Sequence, residues 1–152
     1  MPNIFVSYRR DDSAGGYVIS LRDRLAQRFG PEAAFLDIDR IAYGDDFAQV
    51  IKTQIGISQA CLVWIGREWM TCQNELGQRR LDDPQDVVRL EVATALQRQI
   101  RVIPVLVGGA RPPKVGDLPE DLRALAGLNA IDVSHARFDR DLDYLMEVLE
   151  WN

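Results

Sequence analysis

Five short apolar runs recur along the chain with helix-patterned segments between them, and this alternation restricts the fold more than any other feature. The runs are Ile4-Phe5-Val6, Ala34-Phe35-Leu36, Cys61-Leu62-Val63-Trp64-Ile65, Val102 to Val107, and Asn129-Ala130-Ile131-Asp132-Val133. Each is too short for a helix and nearly unbroken, as expected of strands buried on both faces. Between them, Val18, Leu21, Leu25 and Phe29 recur at helical spacing, as do Phe47, Val50, Ile51 and Ile55, and later Phe138, Leu142, Leu145 and Leu149. Gly30-Pro31 stops the first of these helices. Strands alternating with helices predict a parallel sheet covered on both sides. Five such units with right-handed crossovers predict the flavodoxin-like strand order 2-1-3-4-5, a three-layer α/β sandwich. Pro104 resists the pattern: proline lacks a ladder donor, so the fourth strand is expected near the sheet edge or locally bulged.

The helix before the fourth strand carries the strongest start signal. Asp83 is expected to cap it, Pro84 to fit its first position, and Asp86 to stand three residues after the cap. Val88, Val92, Ala95 and Leu96 form its buried stripe, and Glu91 falls beside that stripe, between Val87 and Ala95. A carboxylate there is either an ordinary helix-flank Glu or a group whose pKa is tuned where water is scarce. A shorter helix is expected from Pro119.

The length of 152 residues fits one domain, standing alone or cut from a longer protein. A domain of this size buries roughly 70% of its unfolded surface, so it needs no staples. The net charge of −5 argues against nucleic acid as the main partner. Cys61 lies in an apolar run and Cys72 in a polar loop, without metal spacing, as in a reduced cytoplasmic chain. A strand pattern begins almost at once, leaving no room for a signal peptide, and no apolar run approaches a membrane span. The expectation is a soluble, cytoplasmic domain.

In a sheet of this kind, ligands bind beyond the carboxyl ends of the strands. The residues there are Ser7-Tyr8-Arg9-Arg10, Asp37 with its loop, and Gly66-Arg67-Glu68-Trp69. Arg9 and Arg10 offer forked donors to phosphates, or else form a solvated cluster with Asp11 and Asp12. Asp37 can accept from sugar hydroxyls, and Tyr8, Tyr43 or Trp69 can stack on a base or simply pack. Trp64, inside a strand, belongs to the core. Other chemistries fall away. No G-x-G-x-x-G opens the first helix, and there is no P-loop. His135 is the sole histidine, which leaves no metal cluster and only a poor basis for a catalytic triad. A phospho-acceptor domain would need an Asp where the third strand ends in Ile65-Gly66, and a Lys on the fifth.

Three blocks carry a resemblance. Phe5-Val6-Ser7-Tyr8-Arg9-Arg10-Asp11, Phe35-Leu36-Asp37-Ile38-Asp39 with Gly44 following, and Val88 to Leu96 resemble, in order and spacing, signature blocks of the TIR domain. Val102-Ile103-Pro104-Val105 and Leu118-Pro119-Glu120-Asp121 extend the resemblance over nearly the whole chain, above all to NAD-consuming TIR domains of animals and bacteria. The resemblance implies a proline in the fourth strand. It implies NAD+ as substrate, with no separate cofactor and no metal, cleaved between nicotinamide and ribose to ADP-ribose or a cyclised form. Glu91 matches the catalytic glutamate, and Arg9 and Arg10 match a pair beside the substrate; Tyr8, Asp37 and Trp69, read from their residue types at the strand ends, are expected as further substrate contacts. The loop with Tyr43, Gly44 and Asp45 matches the segment through which these domains stack, so self-association is expected, in bacterial immune signalling against phage. One departure stands out. Enzymes of the family often carry Trp four residues before the glutamate, where this chain has Val87, so the aromatic wall is missing or supplied by another residue such as Trp69. The family also contains adaptors, and the alternative is a non-catalytic scaffold that recruits other TIR domains.

Overall fold

The computed structural model describes residues 3–10, 12, 16–36, 44 and 46–150, so Asp37, Tyr43 and Asp45 lie outside the described residues. Strands β1 (Ile4–Tyr8), β2 (Ala34–Phe35), β3 (Ala60–Ile65), β4 (Arg101–Val107) and β5 (Ile131–Val133) alternate with helices α1 (Val18–Phe29), α2 (Phe47–Gly56), α3 (Val87–Gln97) and α4 (Phe138–Glu150). All strand pairs are parallel, in the order β2-β1-β3-β4-β5. This is the flavodoxin-like three-layer sandwich expected from the alternation. A 3-10 segment at Glu120–Gly127 stands where the short helix after Pro119 was expected. Among the described residues, no helix is long and apolar enough to cross a membrane.

Side-chain alternation along the strands divides the core in two. Ile4, Val6, Leu62, Trp64, Val105 and Val107 pack against α1 and α4. Phe5, Cys61, Val63, Ile65 and Leu106 pack against α2, α3 and the segment Leu118 to Leu125. The same parity sends Ser7 and Arg9, two and four residues beyond Phe5, towards α3.

Pro104 is accommodated by strand length. It pairs in register with Val63 on β3, whereas β5 pairs only with Val105, Leu106 and Val107. At the proline, β4 therefore has one ladder neighbour, so the strand is an edge locally although it is second from the edge in strand order.

Two boundaries differ from the sequence reading. Strand β5 begins at Ile131 and leaves out Asn129 and Ala130. Helix α3 starts at Val87, with Asp86 and not Asp83 as its cap. The Asp83 carboxylate instead accepts from the Gln85 N–H at 2.9 Å, and the Asp86 N–H donates to the Asp83 carbonyl at 3.0 Å. Pro84 thus sits in a turn that precedes the helix. The competing Asp prevailed because its carboxylate has a second partner, described below.

Candidate active site

The helix that carries Glu91 runs back against β1, and two side-chain links join them. The Ser7 hydroxyl donates to Glu91 Oε1 at 2.9 Å. Arg9 donates to both oxygens of Asp86, at 3.0 and 2.7 Å. The spacing explains why both form at once. Ser7 and Arg9 lie about 6.6 Å apart along a strand, and Asp86 and Glu91 about 7.5 Å apart along a helix axis. An antiparallel helix of that pitch matches the strand rung for rung. Asp86 does double duty: the oxygen that receives Arg9 Nη2 also accepts the Arg89 N–H at 3.1 Å, capping α3.

Burial sets the chemistry. Glu91 is only 3% exposed. Val88, Glu91, Val92 and Ala95 are all buried on one face of α3, so the glutamate is part of the stripe and not beside it. Removal from water pushes its carboxyl up to about 8; the Ser7 hydrogen bond pulls the other way, the Asp86 charge adds to the rise, and Arg9 opposes it. The carboxyl is therefore mostly protonated at neutral pH, and a cation placed beside it would draw it towards the charged form. Burial also pushes the Cys61 thiol well above its ordinary value, with the Glu91 charge adding to the effect.

A cleft of about 470 Å³ opens over this arrangement, at the carboxyl end of β1. Tyr8, Arg9, Arg10 and Glu91 all line it, so the expected acid and the expected basic pair share one pocket. The two arginines differ. Arg10 is exposed, while Arg9 is buried with its charge matched to Asp86. Arg9 was expected to meet phosphate or the neighbouring aspartates; it lines the cleft, and its pairing with Asp86 makes it a brace that holds the start of α3 against β1. Tyr8 lines the cleft and also packs against the core on the α1 side.

Trp69 falls elsewhere. It is fully buried in the core layer beneath α3 and does not line this cleft, so the indole has no free face to stack on a base there. Val87 does line the cleft, which leaves a valine where an aromatic wall was sought. Gly44 is exposed with a φ of +92°, a conformation suited to glycine.

Ser7 was expected only at the strand end, and its link to Glu91 had a signal, as a polar residue continuing the apolar parity of β1. Asn74, Arg80 and Gln85 line the cleft, contributed by the long connection between β3 and α3. Their positions had no periodic signal to betray them. Asp12 is buried and accepts the Gly66 and Glu68 N–H groups at 2.7 and 3.2 Å, joining the loop after β1 to the end of β3.

The sheet order and the cleft at the carboxyl end of β1, with a buried acid on the third helix, define a flavodoxin-like α/β domain with a candidate active site. The TIR-domain family model matches residues 4–146, and the chain belongs to that family. It is 29% identical over 147 residues to the NAD(+) hydrolase sarm1 of Drosophila melanogaster, covering 97% of this chain and 10% of that protein. It is 25% identical over 149 residues to the NAD(+) hydrolase SARM1 of Danio rerio, covering 98% of this chain and 20% of the relative. The chain thus spans a fifth or less of the curated relatives it matches. Its fold is similar to the TIR domains of the activated Roq1 resistosome, with a TM-score of 0.72 at 13% identity over 98% of this chain and 99% of that one.

Proposed function

We propose that this domain cleaves the bond between nicotinamide and ribose in NAD+, with Glu91 as the catalytic residue. The observation that carries the reading is the buried Glu91 carboxyl at the base of the cleft that Arg10 also lines. The similarity to two NAD(+) hydrolases supports it. Nicotinamide departs as a neutral molecule, so no acid is required to expel it, and positive charge gathers on the ribose as in other glycosyl transfers. A carboxylate held beside that carbon stabilises the developing cation, and removing one such preorganised group costs ~10²–10³ in rate. The pyridinium charge of bound NAD+ itself favours ionisation of the resting, protonated Glu91. Water or the adenine end then captures the cation, giving ADP-ribose or a cyclised product. We further propose that copies assemble through the loop around Gly44, and that the setting is bacterial immune signalling against phage, as the family resemblance implies. Chromatography of NAD+ products from concentrated protein, beside Glu91→Ala, tests the chemistry.

One observation favours a second reading. Val87 leaves the α3 side of the cleft without the aromatic that many enzymes of the family carry at that position, although Tyr8 lines the cleft from β1. A scaffold that recruits other TIR domains would tolerate that loss. Intact self-association with no NAD+ consumed at any protein concentration would favour it.

A further inference from the structure

A second cleft, of about 500 Å³, opens at the carboxyl ends of β3 and β4. Arg67, from the loop after β3, lines it together with Arg111 and Lys114 from the loop after β4. Among the described residues, Asp117 is the one carboxylate lining it, so three cations face one anion in a chain whose net charge is −5. Such a concentration of charge runs against the balance of the whole molecule. It focuses a positive potential into a concave surface, as anion sites do.

Arg67 is tied to the fold, and Arg111 and Lys114 are exposed beside it. Arg67 Nε donates to the Gly108 carbonyl at 2.8 Å, which ties the two loops and leaves the rest of the guanidinium fork for another acceptor. Gly109 has a φ of +83°, and a Cβ there would come within 3.3 Å of Arg67 Nη2. Glycine thus lets Arg67 lie across the β4 loop. Pro112 and Pro113 separate Arg111 from Lys114 and restrict the backbone between them. Trp69 also lines this cleft, and its Nε1–H is buried with no hydrogen-bond partner, which makes its indole a reporter beside the cations.

We propose that this second cleft binds a phosphate-bearing small molecule, independently of the Glu91 cleft. Arg67 and Arg111 supply forked donors suited to phosphate oxygens, and Lys114 adds a point charge. The shared chemistry is a phosphate group, whether free as an inorganic anion or carried by a nucleotide.

The test is an NMR titration of the ¹⁵N-labelled domain with sodium pyrophosphate, and separately with adenosine diphosphate, at constant ionic strength. The Trp69 indole resonance, assigned with Trp69→Phe, should shift saturably. The double variant Arg111→Ala/Lys114→Ala should weaken binding at least tenfold, and Arg10→Ala, which strips the exposed cation from the first cleft, should leave it unchanged. Tenfold tighter binding of the nucleotide would mark a nucleotide site, and equal affinities an inorganic anion site. A linear, unsaturable shift, or unchanged affinity in the folded double variant, would overturn the proposal. So would loss of binding on Arg10→Ala, which would place the anion in the first cleft.

Discussion

Ser7 and Glu91, separated by 84 positions in sequence, meet at 2.9 Å beneath the cleft. A serine on the first strand is thus the hydrogen-bond donor to the acid on the third helix. Its bond favours the ionised carboxylate, while burial favours the protonated one, and burial prevails. The resting group sits near about 8, within reach of physiological pH.

Ser7→Ala removes the one hydrogen bond that lowers the Glu91 pKa. The value should rise, and NAD+ cleavage at pH 7 should fall by about tenfold for each unit of that rise. Raising the pH to 9 should restore part of the loss. The pH profile of kcat/KM, which reports the free enzyme, measures this directly; a uniform loss at every pH would mean that Ser7 acts otherwise.

Glu91→Gln should stabilise the fold in alkali. Below the ordinary value of 4.5 the carboxyl is neutral whether the chain is folded or not. Between 4.5 and about 8 only the unfolded chain has released the proton, so the parent loses stability as pH rises through that window. Glutamine has no charge to bury. The melting temperature of Glu91→Gln should exceed the parent's by roughly 5–10 °C at pH 9, and the gap should close near pH 4.

The Arg9–Asp86 pair, with side chains 2% and 9% exposed, fixes where α3 begins. Asp86→Ala leaves a buried guanidinium without its counter-charge and strips the helix cap. Together these cost about 3–5 kcal/mol, a fall in melting temperature on the order of 10 °C. Arg9→Met combined with Asp86→Leu should regain most of that stability while still impairing catalysis, since the brace on α3 is gone. Thermal unfolding of the single and double variants separates the two effects.

Gly44 holds a φ of +92° that proline cannot adopt. Gly44→Pro should therefore reshape its loop and reduce self-association. Light scattering against concentration should show fewer assemblies than the parent, with NAD+ turnover falling in step. Unchanged scattering and unchanged turnover would separate the loop from assembly.

The fold was legible because both of its periodicities are strong. Unbroken apolar strands such as Cys61 to Ile65 and amphipathic helices such as α4 leave little choice of architecture. The site was legible only in part. Glu91 completes the i, i+3, i+4, i+7 stripe of Val88, Val92 and Ala95, so its burial was written in the pattern. The start of α3 was harder: Asp83 and Asp86 are equally good caps locally, and a tertiary contact with Arg9 decided between them. Trp69 follows a strand end, where ligands bind, but the turn formed by its N–H to the Gly66 carbonyl carries its ring beneath α3, so it lines the second cleft and not the one over Glu91. Asn74, Arg80 and Gln85 reach the cleft from an irregular connection whose path no local rule dictates.

The most direct measurement is nicotinamide release from NAD+ by the concentrated domain, set beside folded Glu91→Gln at the same concentration. A buried carboxylate that stabilises the ribose cation predicts release by the parent and a rate lower by ~10²–10³ in the variant. Equal release from both proteins would contradict a catalytic role for Glu91.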